Sequence, residues 1–518
     1  MQVVVQSHWR FPSADGPSAV ILIPNSWDDF GYRTSYDLWV RTHDNHQPTE
    51  IGRVKVAHAN QEPGPSPLLP GTYPSLLSVE DGRWFSVGQE DVYYEKIRKL
   101  GALSTVVYGL LNDLAFTSNR ETLPQWSGER LDTAGSYQVT AVSLLRSVNE
   151  QTVRGQFYRI TTGGPRLTRY QFDFTPEQGA SPLEFRVRPH SNPPSNIHVI
   201  IGRNGVGKTR LLQNLAQAVA HPERPENVGS VDFIPSGYAA DDHGFVNVVS
   251  VTFSAFDRLN QVALPGARAA AATHVHVGLQ WGAPGGMEDG LVRIFIKSLK
   301  EVLASQQVTL WFRCFAVLAR DRHFAEIPVQ RLAVEWMTSD IEGKEVKEHE
   351  LGASFGELSS GHAIALLTIT KLVEHVAERS IVLIDEPESH LHPPLLSSLI
   401  RTISFLLAER NGFALIATHS PVVLQEVPRS CVFKLSRNGN VLKARPPRIE
   451  TYGENVGVLT HEIFGLEVME SGFYSELSKA VEVFETYEEV LEYFGRQLGD
   501  EARLLVQILL TEKGNEGK

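Results

Sequence analysis

A glycine-rich loop in the first half of the chain constrains the fold more than any other feature. Residues 202–209 read Gly-Arg-Asn-Gly-Val-Gly-Lys-Thr, a Walker A pattern. In this pattern backbone N–H groups wrap a nucleotide's phosphates, the lysine reaches the β- and γ-phosphates, and the threonine hydroxyl binds magnesium. An apolar, β-branched run precedes the loop and a helical apolar face follows it, which is the order that phosphate binding requires. We expect six residues to contact the nucleotide: Asn204, Gly205, Val206, Gly207, Lys208 and Thr209.

Adjacent carboxylates follow a second apolar strand, Ser380 to Ile384. Nucleotide-binding α/β folds present such acids at the carboxyl edge of the sheet. We expect Asp385 to hold Mg²⁺ together with Thr209. Glu386 would orient and polarise the water that attacks the γ-phosphate, because this chemistry is mostly positioning and electrostatics. An Asp-Glu pair is also an ordinary loop start, and the Walker A loop upstream is what favours the catalytic interpretation.

The run Leu358-Ser359-Ser360-Gly361-His362 stands before an apolar helix and ahead of the second strand. It resembles the ABC signature, usually Leu-Ser-Gly-Gly-Gln, with Ser360 in place of the first glycine and His362 in place of the glutamine. The alternative is an ordinary serine-capped helix start. The resemblance implies that Ser359, Ser360 and Gly361 contact the ATP held by a partner subunit.

Three histidines follow the second strand. His419 ends the apolar strand Phe413 to Ala417 and resembles the switch histidine that senses the γ-phosphate, although a lone histidine is usually structural. His390 and His392 occupy the place of the loop that touches the partner subunit. Their spacing also suits a metal ion, but no cysteine or further ligand cluster accompanies them in the sequence, so an interface is favoured.

The combined motifs resemble the RecF- and SMC-related branch of ABC ATPases. Asp385 to Pro393 and Ala417 to Pro421 are most similar to the stand-alone ATPases of bacterial anti-phage modules, such as the Septu-type ATPase subunit, and Val251 to Asp257 and Thr451 to Val456 resemble further segments of them. The resemblance implies ATP and Mg²⁺ as cofactors and a homodimer or higher oligomer built around ATP. It also implies antiviral defence, with a separate nuclease or toxin as effector and nucleic acid as another candidate partner. No residue matches the family's Q-loop glutamine.

Composition excludes several other classes. The net charge of −12 argues against a uniformly basic surface for nucleic acid. The two cysteines imply no disulfide framework, which fits a reducing cytoplasm. No apolar run is long enough to span a membrane and no charged-then-apolar leader is seen at Met1, so we expect a cytoplasmic protein without a membrane partner. The residues after His419 contain no Asp-x-Asp pair, so the Toprim nuclease domain of OLD proteins is not expected.

The predicted fold class is α/β, with an ABC-type P-loop ATPase core whose mixed or parallel sheet has flanking helices. The expected boundaries are a β-rich N-terminal domain (1–180), a Walker A lobe (181–253), a largely helical insertion (254–350), a lobe with the signature, Walker B and switch histidine (351–450), and a helical C-terminal segment (451–518). The N-terminal domain is predicted to contain a helix near Asp91 to Leu114 and strands at Val3–Val5, Ala19–Ile23, Tyr36–Val40 and Gly155–Ile160. Helical stripes predict two insertion helices, at 291–303 and 311–318. Glutamates crowding 482–492 indicate a solvated acidic face, with a partner-docking helix as the alternative.

Three functional hypotheses follow. The first is an ATP-hydrolysing regulatory subunit of an anti-phage complex. The second is a RecF-like ATPase of DNA repair or recombination, which the acidic charge and the large N-terminal region disfavour. The third is the energising subunit of an ABC transporter, which the long segment before Walker A and the His-Leu-His loop disfavour.

Overall fold

The structure is a computed structural model of the chain. It describes fifteen stretches of residues: 1–8, 10–25, 27–42, 47–79, 82–116, 139–148, 150–176, 181–221, 228–235, 244–252, 273–278, 287–305, 307–438, 441–470 and 473–516.

The N-terminal region is built on a six-stranded sheet of order β5-β1-β2-β3-β4-β6, in which β1 and β2 run parallel and the other neighbours antiparallel. Its strands are β1 Gln2–Val5, β2 Ala19–Pro24, β3 Ser35–Arg41, β4 Thr49–His58, β5 Gly71–Tyr73 and β6 Trp84–Gly88. A 3₁₀ turn lies at Leu76–Ser78. The helices that follow are α1 Asp91–Arg98, α2 Leu103–Leu110, α3 Glu150–Thr152 and α4 Tyr158–Thr161, with π-helical turns at Thr140–Leu144 and Val153–Phe157. One sheet face and these helices share a core that contains Trp84, Tyr93 and Tyr108.

Three of the four predicted N-terminal strands are confirmed, and the fourth is wrong. Gly155–Ile160 lies in the continuous helical stretch from α3 to α4. The segment's aromatic and β-branched residues suggest a strand. Val153, Phe157 and Ile160 are nevertheless spaced for one helical face, and all three are buried in the N-terminal core. The single helix expected near Asp91 to Leu114 is a pair of helices, α1 and α2.

The remainder of the described chain contains the central sheet and most of the helices. Its strands are β7 Tyr170–Thr175, β8 Leu183–Val187, β9 Ile197–Ile201, β10 Ser230–Ile234, β11 Asn247–Thr252, β12 Thr273–Gly278, β13 Ile381–Asp385, β14 Phe413–Thr418, β15 Val432–Asn438 and β16 Val441–Arg445. Its helices are α5 Lys208–Ala220, α6 Met287–Ala304, α7 Val308–Leu318, α8 Arg322–Glu326, α9 Val329–Thr338, α10 Ile341–Gly356, α11 Ser360–His375, α12 Pro393–Arg410, α13 Pro421–Gln425, α14 Val456–Glu470, α15 Phe473–Val483, α16 Tyr487–Tyr493 and α17 Asp500–Glu516. Short 3₁₀ turns lie at Pro387–His390 and Arg429–Cys431.

The central sheet has seven strands in the order β12-β11-β13-β14-β9-β15-β16, parallel except for β16. Side chains along its strands alternate between two cores. On β13, Val382 and Ile384 pack with α6, α7, α11 and α12, whereas Ile381 and Leu383 pack with α5 and the small sheet β10-β7-β8. The result is an α/β core in which helices pack on both sides of a largely parallel sheet. This agrees with the predicted fold class.

The helices of the insertion and the C-terminus follow the predicted stripes. α6 buries Phe295, Leu299 and Val302, and α7 buries Trp311 and Phe315 in the larger core. The C-terminal helices α15, α16 and α17 form a separate small core. The predicted acidic face is exposed at all five of its glutamates, which are Glu482, Glu485, Glu488, Glu489 and Glu492. Of the segment Val251 to Asp257, only Val251 and Thr252 belong to the described residues, at the end of β11.

A buried ion pair joins the N-terminal region to the ATPase core. Arg159 of α4 lies 2.6 Å from Glu378, which follows the long helix α11, and their side chains are 3% and 6% exposed. Arg146 reaches Glu301 of α6 at 3.1 Å, and Arg53 donates to the Ala304 carbonyl. The N-terminal region is therefore tied to the segment that connects α11 to β13.

None of the described helices is long and apolar enough to cross a bilayer.

Candidate functional site

Strand register brings three sequence motifs to one edge of the central sheet. Asp385, the last residue of β13, pairs with Ala417 of β14, and Thr418 pairs with Ile201, the last residue of β9. The Walker A loop, the acidic pair and His419 therefore emerge side by side at the carboxyl ends of adjacent parallel strands. This is the position at which open α/β sheets bind ligands.

The Walker A loop follows β9 and leads into α5. Gly207 has φ of +104° at the residue before the helix, a conformation that side chains strongly disfavour. The Lys208 side chain is buried, and its ammonium donates to the carbonyls of Gly202 at 3.1 Å and Arg203 at 3.5 Å. Asn204 and Gly205 are exposed, and Val206 is buried in the core shared with α5. The loop thus turns a helix N-terminus and a buried lysine toward the sheet edge, a suitable arrangement for an anion.

The two halves of the expected magnesium site are in direct contact. Thr209 donates from Oγ1 to Asp385 Oδ2 at 2.6 Å. Hydroxyl and carboxylate oxygens are hard ligands that suit Mg²⁺, and adjacent oxygens on an octahedral Mg²⁺ lie about 2.9 Å apart. The pair needs to separate only slightly to hold the ion or its water shell, so these residues fit the expected cofactor.

Glu386 lies beyond the strand in a left-handed backbone conformation, with φ of +45°. Its N–H donates to the Ala417 carbonyl, which ties it to β14. Its Oε1 is 3.6 Å from His419 Nδ1, and both side chains are partly exposed, at 39% and 45%. A carboxylate and an imidazole therefore face solvent together beside the Walker A loop. Strained non-glycine conformations of this type cluster at functional sites.

The sequence interpretation missed Glu388. Its Oε1 accepts from the Thr418 hydroxyl at 2.7 Å and the His419 N–H at 2.8 Å, and it lies 3.2 Å from His419 Nδ1. Glu388 therefore fixes the turn that carries the histidine. Its place three residues after the Walker B aspartate is the only sequence signal, and that signal does not indicate which turn it holds.

Arg437 was also missed. It lies near the end of β15, and its Nη2 is 3.3 Å from where a Cβ on Gly207 would stand. A guanidinium therefore lies against the Walker A loop, while the positive φ of Gly207 is what disfavours a side chain at position 207. No local pattern in the sequence indicates this, because β15 follows β9 by more than two hundred residues.

The signature segment begins α11 and contacts the loop after Walker B. Ser359 is the N-cap, and its hydroxyl interacts with His362 Nδ1 at 2.6 Å. Ser359 and Ser360 are exposed. Gly361 is buried so closely against the loop that an added Cβ would stand 2.8 Å from the His390 carbonyl oxygen. The structure thus joins Thr209 to Asp385 and Glu386 to His419. The signature instead contacts the His-Leu-His loop through Gly361, and the start of α8 through His362.

One comparison with known proteins covers nearly the whole chain. Protein ea59 of Escherichia phage lambda is 35% identical over 541 aligned residues, covering 99% of this chain and 99% of the phage protein. The chain belongs to the ea59 family.

A protein-family model identifies the type of one domain in this member of the ea59 family. The model described as "AAA domain, putative AbiEii toxin, Type IV TA system" matches residues 312–425. That range contains the signature, the Walker B strand and His419, while the Walker A loop lies outside it. This chain thus carries an AAA-type P-loop ATPase domain.

Solved structures with some likeness are ATP-binding cassettes. A nucleotide-free ATP-binding cassette from an ABC transporter is 13% identical, with 50% of this chain and 85% of that chain covered and a TM-score of 0.25. An ATP-binding cassette of an ABC transporter in its ADP conformation is 17% identical, with 50% and 84% covered and a TM-score of 0.24. These scores are low, and the α/β core is defined by its own strand order and register.

Proposed function

We propose that the chain is an ABC-type ATPase that binds ATP with Mg²⁺ and hydrolyses it. The observation that carries the proposal is the 2.6 Å contact between Thr209 and Asp385, which brings the Walker A and Walker B motifs together at the sheet edge. Chance motif matches would not be expected to meet there, because 176 residues separate them in sequence. The proposal that the nucleotide is ATP, and not another nucleotide such as GTP, rests on the family resemblance.

Each residue then has a defined role. The N–H groups from Asn204 to Lys208, the Lys208 ammonium and the N-terminus of α5 bind the phosphate oxygens. Thr209 and Asp385 would hold Mg²⁺, which would neutralise negative charge on the phosphates when bound. Glu386 orients and polarises the attacking water, and His419 senses the γ-phosphate from the neighbouring strand end. Glu388 acts as a positioning residue by holding His419.

Steady-state ATP hydrolysis by purified Glu386→Gln protein tests this assignment. A positioned general base contributes about 10²- to 10⁴-fold, so we expect kcat to fall by a factor in that range while ATP binding persists. The matched control is Glu482→Gln, which makes the same change at an exposed position on the C-terminal helices. Normal turnover by Glu386→Gln would refute the role of Glu386.

The proposed active form is a head-to-head dimer that encloses ATP. Its support is the exposure of Ser359 and Ser360 at the start of α11 and the exposure of Glu386 and His419 at the sheet edge. A signature from a second subunit would complete each site. Light scattering should show a dimer of Glu386→Gln protein with ATP and a monomer without it. Ser359→Arg should prevent this dimer, whereas Ser13→Arg, at another exposed serine, should not.

We further propose a sensing or regulating role, in antiviral defence, beside a separate effector. The regulatory part is supported by the buried Arg159–Glu378 pair, which ties the N-terminal region to the residues just after the signature helix. The defence role and the effector rest on the resemblance of Asp385 to Pro393 and Ala417 to Pro421 to anti-phage ATPases. A partner that moves the N-terminal region would act on the ATP site through that helix. Protein ea59 belongs to a phage, so a relative of the proposed ATPase is carried by a phage genome.

Affinity purification of Glu386→Gln protein from its native host, with ATP and Mg²⁺, tests this role. A nuclease or toxin that co-purifies in fixed ratio by mass spectrometry supports it. Recovery of the chain alone, or with duplex DNA, contradicts it and favours the RecF-like alternative.

A further inference from the structure

A cluster of potential metal ligands lies beside the signature helix. It consists of Asp321, His362 and His392, and each side chain offers one ligand atom, with all three atoms within 4.8 Å of one another. The three residues come from separate segments. Asp321 caps α8, His362 lies in the first turn of α11, and His392 caps α12.

His362 is oriented like a metal ligand. Its Nδ1 is held by the Ser359 hydroxyl at 2.6 Å, which turns Nε2 toward Asp321. That Nε2 is buried, makes no hydrogen bond with any described residue, and lies 3.5 Å from Asp321 Oδ1. Two ligand atoms of one tetrahedral zinc ion lie about 3.3 Å apart, because each is about 2.0–2.1 Å from the ion. The observed separation is close to this value, and a hydrogen bond on the other ring nitrogen is the usual support of a ligating histidine.

Asp321 places a carboxylate beside the two imidazoles. Its Oδ1 also accepts from the His323 N–H at 3.0 Å, which fixes the carboxylate.

His392 completes the set from the solvent side. Its ring centroid is 5.8 Å from that of His362, and its side chain is exposed. Its Nδ1 accepts from the Leu395 N–H at 3.4 Å, which is long for a hydrogen bond. If Nε2 binds the metal, Nδ1 carries the ring proton and cannot accept; if Nδ1 binds the metal, its lone pair is already used. Either way the metal bond replaces the long contact with the Leu395 N–H, and losing that contact costs little. The exposure of His392 leaves room for water at the remaining coordination position.

We propose that Asp321, His362 and His392 bind a divalent transition-metal ion of the zinc type. Two imidazoles and one carboxylate suit such ions, whereas Mg²⁺ prefers oxygen ligands alone. The bound ion links α8, the signature helix α11 and the loop after Walker B. It thereby fixes the start of α11, where Ser359 and Ser360 are placed to contact nucleotide.

Metal binding is measured without nucleotide, so its outcome is independent of the proposed ATPase activity. Full-length protein free of any histidine tag is stripped with a chelator and titrated with Zn²⁺ by calorimetry. Elemental analysis of protein as purified distinguishes zinc from iron or other metals. Co²⁺ substitution gives an absorption spectrum that reports nitrogen and oxygen ligation directly.

The variants are His392→Ala and Asp321→Asn, and the second retains a side-chain oxygen to cap α8. The matched control is His390→Ala, which removes a histidine two residues from His392 but outside the cluster. We expect one equivalent of Zn²⁺ per chain in the parent and in His390→Ala, and at least tenfold weaker binding in the two cluster variants. Circular dichroism confirms that each variant is folded. Equal Zn²⁺ binding by the parent and His392→Ala overturns the proposal and indicates adventitious binding to surface histidines. The absence of stoichiometric Zn²⁺ binding by the parent also overturns it.

Discussion

The buried glycine of the signature segment gives a sharp test of how this helix is placed. In Gly361→Ala, an added Cβ would stand 2.8 Å from the His390 carbonyl oxygen and 3.4 Å from Leu395 Cδ2. The first distance is shorter than van der Waals contact, and its partner is backbone, which cannot rotate away. The start of α11 or the His-Leu-His loop must therefore move.

Two opposing effects decide the stability of this variant. Alanine is favoured over glycine in a helix by up to about 1 kcal/mol. Overpacking a well-packed interior costs about 1–3 kcal/mol. We expect a net destabilisation on the order of 1 kcal/mol. Displacing the signature should also lower ATP hydrolysis by about tenfold or more, since misplacement by an ångström can cost far more than that. ATP binding should persist because Lys208 and Thr209 are elsewhere.

Urea denaturation and ATP hydrolysis measure both consequences. The matched control is Gly109→Ala, at an exposed position of α2 where an added Cβ meets nothing within 4 Å. This control should be as stable as the parent or more so, with normal hydrolysis. A Gly361→Ala protein with parental stability and parental turnover would show that the start of α11 is not packed as described.

Three further predictions concern binding, stability and pH. Lys208→Ala should abolish ATP binding in a fluorescent-nucleotide titration, because it removes the buried ammonium of the loop; retained affinity would contradict the assignment. Arg159→Met should lower the free energy of unfolding by about 3–5 kcal/mol in urea denaturation, because it removes one partner of the buried Arg159–Glu378 ion pair, and an unchanged urea midpoint would refute this. Burial raises the pKa of Asp113 to about 7. Between about pH 4 and pH 7 the folded state therefore keeps a proton on Asp113 that the unfolded state releases. The free energy of unfolding consequently falls as the pH rises toward 7. Urea midpoints from pH 5 to 8 should therefore fall less steeply for Asp113→Asn than for the parent, and identical slopes would contradict the shift.

The parts of the site that the sequence predicted are those built from local pattern. The loop around Lys208 needs only neighbouring residues to take its shape. Asp385 ends one apolar strand, and His419 directly follows another. Parallel pairing then places them together without any further information. The assigned roles of Glu386, His419 and the signature residues stay predictions, because the contacts show placement and not chemistry.

The parts that the sequence did not predict depend on long-range packing. Arg437 reaches the Walker A loop only because β15 pairs with β9, and Asp321 meets His392 only because α8 packs beside α11 and α12. At Gly155–Ile160 the local composition favoured a strand, and burial of one helical face decided otherwise. Propensity is a weak guide wherever tertiary burial opposes it.

Single-turnover hydrolysis tests the central claim most directly. Purified protein in excess over radiolabelled ATP is followed for phosphate release, with Mg²⁺ and then with chelator in its place. We expect phosphate release in the presence of Mg²⁺, loss of that release with chelator, and loss of it in Lys208→Ala at equal protein concentration. Phosphate release that is the same in the parent and in Lys208→Ala would contradict the claim that this sheet edge is an ATPase site.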